Sequence, residues 1–281
     1  MTRQQTHRIA VIAVSVVAAV VIIPIFLVIA FIVVNGISAI NWQFLTQPPR
    51  QGMTEGGILP AILGTILLMA GTAIAAIPLG IGAAIYLAEY AGDNRLTRAI
   101  RLAILNLAGI PSIVYGLFGL GAFVLFLSFG TSILAGSLTL GLMTLPVVIS
   151  TAEEAILAVP SEFRVVSLSL GATRWQTIRR QVLPHALPGI LTGVILGLGR
   201  AAGETAPILF TVAAFYLPEL PRSVFDQAMA LPYHLYVIAT QVPGMPLNIQ
   251  YGTALVLLLI VLSLTLVATI IRTAMRRRRE W

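Results

Sequence analysis

This 281-residue chain contains no cysteine, no lysine and very little charge of either sign. The missing cysteine excludes disulfides, thiolate metal sites and cysteine nucleophiles. The missing lysine means that all 17 basic residues are arginine. A P-loop uses a lysine to reach the β- and γ-phosphates of ATP, so this polypeptide carries no Walker A site, and any ATP-driven work it performs draws on another chain. Charged residues make up only 10% of the sequence while 58% is hydrophobic, and the mean hydropathy of +0.97 lies far outside the range of a soluble domain.

What is present is long apolar runs. Six stretches, about 9–34, 58–88, 102–129, 133–150, 184–212 and 252–271, each supply the roughly 20 residues that cross a bilayer as helix. Helices satisfy their own backbone hydrogen bonds in lipid, so the expected fold is an all-α integral membrane protein of six transmembrane helices. The first run exceeds the roughly 7–15 residues of a cleaved signal and reads as a retained anchor. Alternating the loops gathers 14 arginines on one side and leaves Arg50 and Arg222 on the other, with Arg200 inside a span. The positive-inside rule then places both termini in the cytoplasm. The expected organisation is a tail over 1–8, a membrane domain over 9–271 with a cytoplasmic loop at 151–183 and an external loop at 213–250, and a basic tail over 272–281. The net charge of +7 and the terminal Arg276 to Arg279 fit a stop-transfer anchor on anionic membrane lipid, and nucleic acid is not an expected partner.

The loop reads as a folded docking surface. Ser161 after Pro160 is positioned to cap a helix with apolar Phe163, Val166 and Leu170 at i, i+3 and i+7, and Gly171 supplies the stop. Thr173 and Gln176 form a capping box for a second helix, which Leu183-Pro184 is expected to end. An amphipathic helix resting on headgroups would explain the arginines, but not this order of cap, elbow, cap and Leu-Pro.

The fifth run holds the second informative segment, Gly199-Arg200-Ala201-Ala202-Gly203-Glu204-Thr205-Ala206-Pro207. An arginine near the centre of a span costs about 2.5–3.5 kcal/mol on insertion scales and must face the bundle interior or a wet cavity. Glu204, at i+4, is its expected partner. A purely structural ion pair is the plainer alternative, but buried pairs are poor stabilisers. Gly189, Gly193, Gly197 and Ala201 give helix packing a stripe of its own beside the charged face. His7, His185 and His234 are too dispersed for a metal or catalytic cluster and are read as surface or interfacial residues. Trp42, Trp175 and Trp281 fit membrane boundaries. The proline-containing stretch 213–250 is expected to form short external helices that meet a partner or the outer gate, or to lie on lipid.

The segment from Glu153 to Pro184 resembles the cytoplasmic EAA loop of binding-protein-dependent ABC importer permeases, with Leu-Pro ending thirteen residues beyond Gly171. The fifth-run sequence, with Leu209-Phe210-Thr211, resembles the signature of the phosphate transport system permeases of the PstA type. The resemblance extends through Pro78-Leu79-Gly80-Ile81-Gly82, Tyr86-Leu87-Ala88-Glu89-Tyr90, Gly109-Ile110-Pro111-Ser112 and Tyr115-Gly116. It implies an ABC type I importer fold with a cytoplasmic coupling helix in a bacterial inner membrane, and no catalytic site, metal or cofactor on this chain. The partners it implies are a second related permease, two copies of an ABC ATPase that uses ATP and Mg, and an extracytoplasmic phosphate-binding protein. Arg200 and Glu204 then stand on the substrate pathway, and Ser161, Glu162, Phe163, Arg164, Leu170, Gly171, Ala172 and Thr173 in the ATPase contact. A permease for molybdate or sulfate preserves every topological argument. A secondary transporter would show inverted repeats, and an intramembrane enzyme would need a converging nucleophile and base; neither pattern is evident.

Overall fold

The computed structural model describes residues 3–277; the side chains of Arg3, Arg8 and Arg276 to Arg279, and all of Trp281, lie outside the described residues. Twelve α-helices are formed among them: α1 Arg3–Gly36, α2 Trp42–Thr46, α3 Leu59–Ile85, α4 Arg95–Ala108, α5 Ser112–Gly119, α6 Ile133–Leu157, α7 Ser161–Ser169, α8 Arg174–Thr177, α9 Leu183–Ala201, α10 Ala206–Thr211, α11 Leu231–Thr240 and α12 Leu247–Arg277. Two-residue strands β1, Pro49–Arg50, and β2, Glu55–Gly56, pair antiparallel beside the start of α3. Five helical rods are long and apolar enough to span a membrane, and the count is six if the bent pair α4 and α5 is taken as one span.

The third expected span is therefore not one helix. α4 and α5 meet at 102° across Gly109-Ile110-Pro111. Pro111 has no N–H to continue the ladder and disfavours helical geometry at Ile110, so the chain turns there. α4 carries Arg95, Arg98 and Arg101 at three-residue spacing, which gives it a charged face that a buried span would not tolerate.

The core is built on α3, α6 and α9. Lipid tails are as apolar as leucine, so close packing, more than exclusion of water, brings such helices together. α9 presents Gly189, Gly193 and Gly197 to Ala155, Thr151 and Val148 of α6; a Cβ on Gly189 would lie 2.5 Å from that of Ala155. Buried Ala84, Ala152, Ile156, Val182, Ala186 and Ile190 fill the arginine-rich end. A larger cluster around Ile58, Leu68, Met143, Ile208, Val212, Leu231 and Val237 fills the other. α1 runs along α12, where Phe31 and Tyr251 meet edge to face at 5.4 Å, and its side chains from Val11 to Val28 are exposed, as a lipid-facing helix requires.

Two further expectations are corrected. The helix begun by Arg174 does not stop at Leu183-Pro184: it runs 28 residues to Ala201. A π turn over Ile178–Val182 bonds Leu183 N–H to the Ile178 carbonyl, and this wider register lets the proline pass without a break. The stretch 213–250, expected as short external helices or a loop on lipid, is partly built into the bundle. Met229, Ala230, Leu231, Tyr233, His234, Val237 and Ile238 are buried, and the Leu231 N–H bonds the Thr65 hydroxyl of α3 at 2.8 Å. His234, expected at a surface, is 3% exposed.

Candidate functional site

Arg200 stands in the last turn of α9, and the helix ends one residue later. The fifth span is thus interrupted where the sequence suggested a continuous helix, and Glu204 lies in the turn between α9 and α10. The two still meet, with Arg200 Nε donating to Glu204 Oε1 at 3.3 Å. The break changes the electrostatics: a cation at a helix C-terminus is favoured by the macrodipole, so the order Arg before Glu carries no helix penalty here. Arg200 is 43% exposed at its side chain and Glu204 17%, so the guanidinium faces open space while the carboxylate is held back. Glu204 borders a small cavity shared with Leu68, Ala201 and Pro232, so α11 backs the acidic partner. On the far side Gly116 of α5 abuts Ala206 and Pro207, where a Cβ would lie 2.9 Å from the Ala206 carbonyl oxygen. Tyr115, beside it, donates to the Leu107 carbonyl at 2.8 Å and ties α5 back to α4. An exposed guanidinium with one weakly held carboxylate can exchange that partner for an incoming oxyanion.

The second region lies at the arginine-rich end. α7 begins at Ser161, but Pro160 takes the N-cap position and the Ser161 hydroxyl makes no capping bond, which corrects its expected role; Pro160 already fixes the entering backbone. Gly171, at φ +84°, closes a Schellman motif in which its N–H bonds Leu168 O at 3.0 Å and Ala172 N–H bonds Ser167 O at 3.2 Å. The Thr173 and Gln176 capping box is formed in both directions. α7 and α8 enclose a groove of about 410 Å³ bordered by Glu162, Phe163, Val166, Leu170, Ala172 and Arg180. Of the eight expected contact residues, Ser161, Glu162, Leu170, Gly171 and Thr173 are exposed and Phe163 and Ala172 half-exposed.

Arg164, one of the expected contact residues, is half-buried and makes its hydrogen bonds within the chain. Its guanidinium donates to Glu89 Oε1 through Nε at 3.0 Å and Nη2 at 2.7 Å, to Ile156 O at 2.9 Å and to Val159 O at 2.7 Å. Sequence reasoning missed this cluster. Glu89 and Glu153 were visible as carboxylates at the ends of apolar runs, where burial demands a cation. Arg101 answers Glu153, Nε to Oε1, at 2.8 Å.

An α-helical bundle with rods long and apolar enough to cross a membrane defines a multi-span membrane protein. The chain belongs to the family of binding-protein-dependent transport system inner membrane components, whose profile matches residues 76–281. It is therefore a multi-pass inner-membrane permease of ABC importers, a non-catalytic subunit whose ATPase is a separate chain. It is 35% identical over 253 residues to the probable ABC transporter permease protein YqgI of Bacillus subtilis, covering 86% of each chain. It is 39% identical over 226 residues to the phosphate transport system permease protein PstA 1 of Mycobacterium tuberculosis, covering 80% of this chain and 72% of that one. Among solved structures, a bacterial ABC transporter involved in import of the acidic polysaccharide alginate shares the fold at TM-score 0.69 and 15% identity, over 96% of this chain and 98% of that one. The MetNI methionine ABC transporter in an inward-facing form does so at TM-score 0.62 and 17% identity, over 78% and 97%.

Proposed function

We propose that this chain forms half of the membrane pathway of an ATP-driven importer of inorganic phosphate. The observation that carries the reading is the Arg200 and Glu204 pair at the broken fifth span, in a chain 39% identical to a phosphate transport system permease. Arginine stays charged at every physiological pH and offers a planar fork that matches phosphate oxygens. Glu204 holds Arg200 in the resting state, yields it to the anion during transport, and so limits how tightly the site grips its cargo.

The other half of the pathway is a second related permease. An extracytoplasmic phosphate-binding protein delivers the anion, and two copies of a cytoplasmic ATPase, using ATP and Mg, act on 151–183. In this reading both termini, 1–8 and 272–281, face the cytoplasm with the arginine-rich end, and 213–250 lies at the outer side. The exposed rim formed by Ser161, Glu162, Phe163, Leu170, Gly171, Ala172 and Thr173 meets the ATPase. Alternating access exposes Arg200 to each side in turn.

ATP-dependent uptake of radiolabelled phosphate into vesicles holding the complete complex tests the assignment, with molybdate and sulfate as competitors. The expected result is phosphate accumulation that Arg200→Gln abolishes while the chain stays assembled. Transport of another oxyanion in place of phosphate overturns the cargo, and normal phosphate uptake by Arg200→Gln overturns the site.

A further inference from the structure

α7 buries no residue fully, and its apolar contact with the bundle includes half-buried Phe163, which packs on the cluster around Ile156 and Val182 and against the His185 ring. Arg164 adds a polar tie beside it. One guanidinium joins three elements: α7, which carries it; the carbonyls of Ile156 and Val159 at the C-terminal end of α6; and Glu89, 7% exposed at its side chain, in the π turn Tyr86–Tyr90 that ends α3. The carbonyls present the negative end of the α6 dipole, so both kinds of acceptor suit a cation. Arg174, the first residue of α8, adds a second tie by standing over the Tyr90 ring at 5.2 Å from its centroid. The same π turn is also held from the opposite flank, where Arg101 of α4 donates to Leu87 O at 3.1 Å and to Glu153 of α6.

We propose that Arg164 and Glu89 form a latch that makes residues 161–177 one rigid body with the ends of α3 and α6. Force applied to this segment then moves both helices together, instead of swinging α7 about Pro160 and the Gly171 elbow. Two routes lead from the latched segment to the candidate transport site. α8 continues through its π turn into α9, whose last turn carries Arg200. α3 and α6, gripped through Arg101, lead by α4 and the 102° bend to α5, whose Gly116 abuts the segment just after Glu204. The latch therefore ties the docking segment to both routes, so that its movement reaches Arg200 and Glu204 and is not lost in a local swing of α7. Arg164 and Glu89 are positioning residues in this scheme, which rests on the reading of 151–183 as the surface on which the ATPase acts.

A residue that merely stabilises the fold lowers the amount of complex, and with it uptake and ATP hydrolysis in proportion. A broken latch lowers phosphate moved per ATP hydrolysed. In the reconstituted complex, Arg164→Gln and Glu89→Gln are each expected to reduce that ratio about tenfold, and the double variant to lose no more than either alone, because the two act through one another. An unchanged ratio, or losses that multiply, overturns the proposal. The absence of cysteine permits a second readout that needs no cargo. Spin labels on Gly92→Cys and Leu170→Cys should show a narrow distance distribution with and without ATP, broadened when Arg164→Gln is added; an equally narrow distribution in that variant refutes the latch. Should Arg164→Gln fail to assemble, Glu89→Gln, which leaves the α6 carbonyl bonds in place, decides by the same readouts. A wild-type complex that hydrolyses ATP but takes up no phosphate refutes the cargo assignment alone, since the label distances still judge the latch.

Discussion

At the scale of single residues, the same charge pattern serves opposite ends. Arg164 is satisfied on every side and works as a strut, whereas Arg200 has one partner at 3.3 Å and open space beyond it. The difference predicts distinct behaviour for Glu204. Replacing it with glutamine releases Arg200 and should lower the half-saturating phosphate concentration and also slow turnover, each by about tenfold for a charge-assisted bond, as measured by uptake over a range of phosphate concentrations. A rise in half-saturation would show that Glu204 helps bind cargo. Gly193 tests packing at the same scale. Its missing side chain admits Thr151 of α6, and Gly193→Val should cost about 1–3 kcal/mol of overpacking, read as a lower thermal midpoint of the purified complex.

At the scale of elements, the unit of α7, elbow and α8 owes its shape to local chemistry. A non-glycine residue at φ +84° costs roughly 1–2 kcal/mol, so Gly171→Ala should raise amide exchange across 161–177 and leave α3, α6 and α9 unchanged. α11 depends instead on its surroundings. Burial lowers the His234 pKa from 6.5 to about 4, so the folded chain holds this imidazole neutral. The unfolded chain takes up its proton first as pH falls, and the stability of α11 is therefore full above about 6.5 and declines toward 4. The thermal midpoint should drop as pH falls from about 6.5 toward 4, and His234→Gln should remove most of the drop. The sequence offered no means of finding this: one histidine in a stretch of five prolines reads as a loop, and only the contact of α11 with α3 shows that the backbone is buried.

For the whole molecule, the exposed apolar surface and the lack of lysine lead to one expectation. Phe118, Phe126, Leu125 and Val114 are exposed on and beside α5, as apolar side chains of a membrane-embedded chain are when lipid or another subunit covers them. The chain purified alone should bind and hydrolyse no ATP, and ATPase activity should appear only when the separate ATPase subunit is added; nucleotide binding by the isolated chain would contradict this.

The membrane class, the approximate positions of the spans, the capping box, the elbow and the meeting of Arg200 with Glu204 were legible in the sequence. Each depends on neighbours within a few residues, or on hydropathy summed along the chain. Pro111 marks the place where the third span folds, but tertiary structure decided that it does so through 102°, that a π turn carries the helix past Pro184, that 229–238 is buried, and that Arg164 finds Glu89, 75 residues away. The physical reason is range. A capping bond closes within one turn and leaves its mark in adjacent residues, whereas a buried carboxylate requires a cation without specifying which one, and only the packing of α3 against α6 brings Arg164 within reach.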